Sequence, residues 1–190
     1  MEDSLFFVIV ALAYVLCHGM TDLLIAPFQR RFLPETTVFA SLIYLPHGVR
    51  VLATWAFGWK AVPGLLAGTV CSISLFSSDH EVAYLSPQII EGVVLGSVSA
   101  LLAFEFARLS GHNLYAGQER RLSWQGMIII GALSSVINAI GQTVIYSGLI
   151  GFEDLGEVLV MYAIGDLAGV VLCMIALMFV FRWLRLRSLS

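Results

Sequence analysis

Six stretches of the sequence, at about residues 4–27, 36–58, 61–78, 84–107, 123–148 and 157–181, stay apolar for close to the ~20 residues an α-helix needs to cross a hydrocarbon core of about 30 Å. Backbone amides cannot remain unpaired in lipid, so runs of this length fold as helices. A transmembrane barrel is excluded, because its strands alternate polar and apolar residues in segments of about ten. Hydrophobic residues make up 59% of the chain and charged residues 12%, against roughly 25% charge in soluble domains, which excludes a water-soluble globule. The expected fold is therefore all-α: a polytopic transmembrane bundle of about six spanning helices, forming one integral membrane domain over residues 1–190. No intervening segment is long enough for a soluble catalytic or nucleotide-binding domain. The net charge of -3 and the lack of a basic cluster give no reason to expect nucleic acid as a partner.

Charge orients the bundle. With six crossings, Lys60, Arg108, Arg120, Arg121, Arg182, Arg185 and Arg187 fall on one side, and only Arg30 and Arg31 on the other, among Glu35, Asp79, Glu81, Glu153, Asp154 and Glu157. Seven basic residues against two predict cytoplasmic N- and C-termini in a bacterial inner membrane. The first segment follows Met-Glu-Asp-Ser, without the basic start of a cleavable signal, and is expected to be a retained helix. Trp55, Trp59, Trp124 and Trp183 fall near predicted cytoplasmic helix ends, the depth an indole favours. Cys17, Cys71 and Cys173 lie within the spans with no CxxC spacing and read as small packing residues. His80 is expected in a loop.

Packing signals follow. Gly64 and Gly68, Gly92 and Gly96, and Gly165 and Gly169 each set two glycines one turn apart, which lets a neighbouring backbone approach closely and leaves an oligomer open as one use of the same faces. Pro46, followed by Gly48, is expected to break or kink the second helix.

The residues that lipid should not tolerate are the most informative. His18 and Asp22 are four apart, His47 and Arg50 three, Gln88 and Glu91 three, and Asn138 and Gln142 four, so each pair is expected on one face of its helix; Asp166 adds a carboxylate to the last helix. An isolated charge at the bilayer centre costs at least ~2.5 kcal/mol. By depth all nine fall between mid-membrane and the extracytoplasmic surface, and His18, Asp22, His47, Arg50, Glu91, Asn138, Gln142 and Asp166 are the candidate lining of one polar ligand pocket. Arg50 with Asp166 reads equally as a structural ion pair, and Asn138 with Gln142 as interhelical hydrogen-bonding glue. His18 and His47 are the residues a haem or metal ion would enlist, though no HxxxH or ExxH spacing supports either, and no cofactor is expected. No nucleophile, base and orienting group recur in a catalytic pattern, so an enzyme is not expected.

The run Tyr44-Leu-Pro-His-Gly-Val-Arg-Val-Leu-Ala53, followed by Phe57-Gly-Trp-Lys-Ala-Val-Pro-Gly64 and Leu65-Leu-Ala-Gly68, resembles the first type of membrane-associated sensor domain, the MASE group. Gly165-Asp-Leu-Ala-Gly-Val-Val-Leu172 is similar to the family's last-helix pattern. The matched positions are Pro46, Gly48, Pro63, Gly64, Gly68, Gly165, Asp166 and Gly169; the family usually has small or apolar residues where this chain has His47 and Arg50. The resemblance implies a bacterial inner-membrane sensory module, commonly fused at its cytoplasmic C-terminus to a histidine kinase or a cyclic-di-GMP enzyme. No such output domain is expected after Ser190, so the expected role is a stand-alone sensory or regulatory module that binds a small polar ligand in the outer half of the bilayer and signals through another membrane or signalling protein. Two other readings use the same residues: a solute-binding or transport subunit similar to the substrate-capture component of energy-coupling-factor transporters, and a structural accessory subunit of a membrane complex.

Overall fold

The computed structural model describes residues 2–32, 41–76, 86–118, 122–146 and 155–187. Expectations for Glu35, Asp79, His80, Glu81, Arg120, Arg121, Glu153 and Asp154 lie outside these residues. Every regular element among them is helical: α1 (Glu2–Met20), a π-helical turn (Thr21–Ile25), α2 (Ala26–Phe32), α3 (Leu45–Phe57), a 3-10 turn (Gly58–Lys60), α4 (Ala61–Phe76), α5 (Pro87–Leu109), α6 (Trp124–Tyr146) and α7 (Leu155–Arg187). Five helical stretches are long and apolar enough to cross a membrane, at Ser4–Phe32, Leu45–Phe76, Pro87–Leu109, Trp124–Ile145 and Tyr162–Arg187.

The difference from about six lies in the second stretch, which is a hairpin. Gly58 takes φ +59°, a left-handed conformation that only glycine adopts without strain, and the chain reverses there. The registers make the reversal explicit. Gly64 lies against Phe7 and Val10, Gly68 against Ala11 and Tyr14, and Gly19 against Phe76, so α4 runs parallel to α1. Leu45 meets Thr21, Arg50 meets Tyr14 and Phe57 stacks on Phe6, so α3 runs antiparallel to α1. By the same reading α6 opposes both α5, through Gly92 with Gln142 and Ser99 with Ser134, and α7, through Gly131 with Val170 and Ser135 with Asp166. Helices α3, α5 and α7 thus share one direction and α1, α4 and α6 the other, as alternating crossings require.

Helix α3 is the hub. At 13 residues it spans about 20 Å, too short to cross alone, and nearly all of it from Leu45 to Thr54 is buried. Val51 packs with Ala100, Ala103, Phe104, Met127, Ile130 and Val170 on one side, and Val49 and Ala53 pack with Val10, Tyr14, Ala61 and Leu65 on the other. Protein surrounds it, and that is the condition under which a membrane helix can carry His47 and Arg50.

The interruption expected near Pro46 takes the form of a helix start. Ser41–Tyr44 is non-helical and Pro46 sits in the first turn of α3, where its missing N–H costs nothing. Non-helical backbone within a membrane must be satisfied by protein. Here Tyr44 N donates to Gly165 O at 2.9 Å and Leu42 N to the buried Gln29 Oε1 at 2.8 Å. The Gly165 and Gly169 pair serves this segment: a Cβ at Gly165 would strike the Ser41 carbonyl, and one at Gly169 the Tyr44 carbonyl. Glycines one turn apart on α7 therefore receive a non-helical backbone. The cysteines are free: Cys71 is exposed, Cys17 is half-buried, and the half-buried Cys173 donates its thiol to Leu45 O at 3.5 Å.

Candidate functional site

Two helices set the chemistry of the core. From α3, three residues apart, His47 and Arg50 both point into protein, 0% and 5% exposed; from α7, Asp166 meets them at 2%. His47 Nε2 lies 3.1 Å from the Gly131 carbonyl of α6. A carbonyl only accepts, so Nε2 carries the proton. The other ring nitrogen, Nδ1, faces Asp166 Oδ2 at 3.4 Å, an ion-pair distance rather than a hydrogen bond. The same carboxylate oxygen accepts from Ser135 Oγ at 2.7 Å. Asp166 thereby ties α7 to α3 and α6 at one point.

Arg50 does not pair with Asp166 as an interhelical ion pair would require; Asp166 is taken by His47 and Ser135. The guanidinium donates from Nη2 to the Tyr14 hydroxyl at 2.8 Å, and its carbon stands 5.5 Å from the Tyr14 ring centre and 5.8 Å from that of Tyr44. Gly96 of α5 makes room for it: a Cβ there would come within 2.8 Å of Nη2. Nε is buried with no hydrogen-bond partner, and no ion pair engages Arg50 among the described residues. Ring faces return about 2 kcal/mol to a desolvated cation, less than the several kcal/mol that burying an ion costs. Asp166 acts on the same charge through space, without a direct ion pair.

His18 extends this cluster. It is half-buried, with its ring centre 6.2 Å from Tyr14, 6.4 Å from Tyr44 and 5.8 Å from Phe76, and its Nδ1 is buried without a hydrogen-bond partner.

Not every expected lining residue converges. Asp22 and Glu91 are exposed, and so is Gln88. For Asp22 the cause is the π turn at Thr21–Ile25, which widens the helix and changes its phase. Thr21 takes the inward position instead, donating from Oγ1 to Cys17 O at 3.0 Å and accepting from Leu45 N at 3.3 Å. Glu91 lies in the second turn of α5, ahead of the buried Gly92 and Gly96. Gln142 donates to Gly92 O at 3.1 Å, the geometry of interhelical glue, and Asn138, one turn beyond Ser135, is buried with its Oδ1 unpartnered. Sequence reasoning missed Tyr14, Ser135 and Gln29. Tyr14 sits four residues before His18 on the same face, a spacing that was available to find it.

Among the described residues no three His, Cys, Asp or Glu side chains approach closely enough to hold a metal ion. His47, one of the two residues that haem or a metal would enlist, has both ring nitrogens facing protein groups.

The arrangement is a polar network enclosed by helices, suited to holding charge and protons and to linking helix positions. Neither the curated proteins nor the solved structures include a match to this chain. The MASE1 family profile matches residues 34–190, which takes in α3 to α7 and every motif position from Pro46 to Gly169. The chain is a multi-pass membrane protein that belongs to the MASE1 family of integral membrane sensory domains.

Proposed function

We propose that this sensory domain receives a small polar ligand in the core around α3 and passes its state, through α7, to a signalling partner at the basic end of that helix. The observation that carries the reading is Asp166, which contacts His47 of α3 and Ser135 of α6 while sitting on the helix that runs on to Arg187. A ligand that changes the charge or hydrogen bonding of the core would alter what Asp166 contacts. Signalling needs such a difference between two states. From Met178 onward every residue of α7 to Arg187 is exposed, and its last turns carry Arg182, Arg185 and Arg187 with Trp183, which leaves this end accessible to a partner. The excess of basic residues at the same end supports a cytoplasmic location in a bacterial inner membrane.

The test is recovery of the tagged chain at native level in mild detergent, with mass spectrometry of what accompanies it and an absorbance spectrum of the sample. A kinase, cyclase or phosphodiesterase is the expected partner. A transport ATPase would instead favour a solute-capture subunit, and a haem band would replace the polar-ligand reading.

A further inference from the structure

Asp166 is engaged by His47 and Ser135, Asp22 and Glu91 are exposed, and Arg50 carries a buried positive charge with no direct ion pair among the described residues and an unpartnered Nε. Beside it stand the hydroxyl of Tyr14 and the ring of Tyr44, and next to these is His18, with a second buried, unpartnered nitrogen and the ring of Phe76 against it. His18, Tyr44 and Phe76 are half-buried while Arg50 is 5% exposed, so the cluster grades from a partly exposed aromatic end to an enclosed cation. We propose that this junction of α1, α3 and α4 binds a small organic carboxylate, its anionic end on Arg50 and the Tyr14 hydroxyl and its apolar body against the rings of His18, Tyr44 and Phe76.

The chemistry selects the class. One guanidinium is matched in charge by a monoanion, where a phosphate dianion would overshoot it. Tyr14 accepts from Arg50, which leaves its own proton to donate to a carboxylate oxygen. Guanidinium and carboxylate match in geometry, and the aromatic walls suit an apolar body better than a hydrated inorganic ion. The proposal rests on the ligand-receiving role given above and names what is received.

The experiment uses the full chain in nanodiscs of zwitterionic phospholipid. Benzoate, phenylacetate and acetate are titrated against benzamide, phenylacetamide, acetamide and inorganic phosphate, with the melting midpoint and equilibrium binding as readouts. Benzoate and phenylacetate are expected to raise the midpoint, acetate less, and the amides not at all. Arg50→Lys should weaken carboxylate binding by roughly 30-fold or more. Tyr14→Phe keeps the ring and its packing and should weaken it about 3- to 10-fold, which preserves the test if the Arg50 variant does not fold. Equal shifts from acids and amides, no shift from any carboxylate, a larger shift from phosphate, or unchanged affinity in Tyr14→Phe would each overturn the assignment. Repeating the titration with anionic phospholipid separates a headgroup source: protection by the lipid that no carboxylate displaces also overturns it. Amide binding alone would remove the carboxylate and leave the sensory reading intact. Recovery of a transport ATPase would remove the sensory reading and leave carboxylate binding, measured here without a partner, untouched.

Discussion

Replacing Gly48 with alanine tests the contact on which the polar core depends. A Cβ at residue 48 would lie 2.6 Å from the Gly169 carbonyl oxygen and 2.6 Å from Cys173 Sγ, where ordinary contact starts at 3.4 Å. The thiol can rotate away, but the carbonyl is held in the α7 backbone, so α3 and α7 must separate by several tenths of an ångström. Overpacking costs about 1–3 kcal/mol, and a clash with a backbone carbonyl that cannot rotate away falls in the upper part of that range, about 2–3 kcal/mol. Alanine returns about 1 kcal/mol over glycine in a helix interior, so the net destabilisation expected is about 1–2 kcal/mol. The separation falls one residue from His47 and widens its 3.4 Å contact with Asp166. Unfolding by SDS titration in mild detergent, followed by circular dichroism, reads the loss. Gly131→Ala is the control, because its Cβ meets only a Val170 methyl at 3.1 Å, and it should stay within about 0.5 kcal/mol of the parent once helix propensity is counted. A Gly48→Ala protein as stable as the parent, or no less stable than Gly131→Ala, would refute the close approach of α3 and α7.

Asp166→Asn can still accept from Ser135 and donate an N–H to His47 Nδ1, so its cost in the same assay should stay below about 1 kcal/mol, while Asp166→Ala loses both contacts at about 1–3 kcal/mol. Equal losses would show that the carboxyl geometry is not what holds the helices. Gln142→Ala removes one interhelical bond to Gly92 O and should cost about 0.6 kcal/mol, the average for such bonds in a membrane; a loss several times larger would contradict a role as glue. Tyr115, between α5 and α6, donates to Glu105 Oε1 at 2.8 Å, and burial together with that carboxylate pushes its phenol above the usual tyrosine range. A value raised in the folded state means the contact contributes fully below about pH 10 and is lost as pH rises through the folded value. Tyrosinate absorbance of the parent minus that of Tyr115→Phe should show a titration displaced to higher pH, and an ordinary curve would contradict the contact.

Hydropathy carried the fold because lipid leaves the backbone one solution, and glycines one turn apart marked real close approaches at Gly64, Gly68, Gly165 and Gly169. What those glycines receive was not legible. Gly165 and Gly169 face the carbonyls of a non-helical segment, which is held by tertiary hydrogen bonds to Gly165 and Gln29. The hydropathy boundary placed Pro46 within a span for the same reason: Ser41–Tyr44 is apolar enough to read as helix. Spacing correctly put His47 and Arg50 on a common inward side, but which of them meets Asp166 depends on the register of α3 against α7. Asp22 shows the limit of periodicity most clearly. Its four-residue spacing from His18 assumes an unbroken α-helix, and the π turn that begins at Thr21 breaks the phase.

The central claim is that α7 reports the state of the core through Asp166. Its most direct test is the output of the co-purifying signalling enzyme in native membranes, compared at equal protein level for the parent, Asp166→Asn and Asp166→Ala. The account predicts that Asp166→Ala fixes the output at one level regardless of stimulus while Asp166→Asn retains part of the response, and three indistinguishable responses would contradict it.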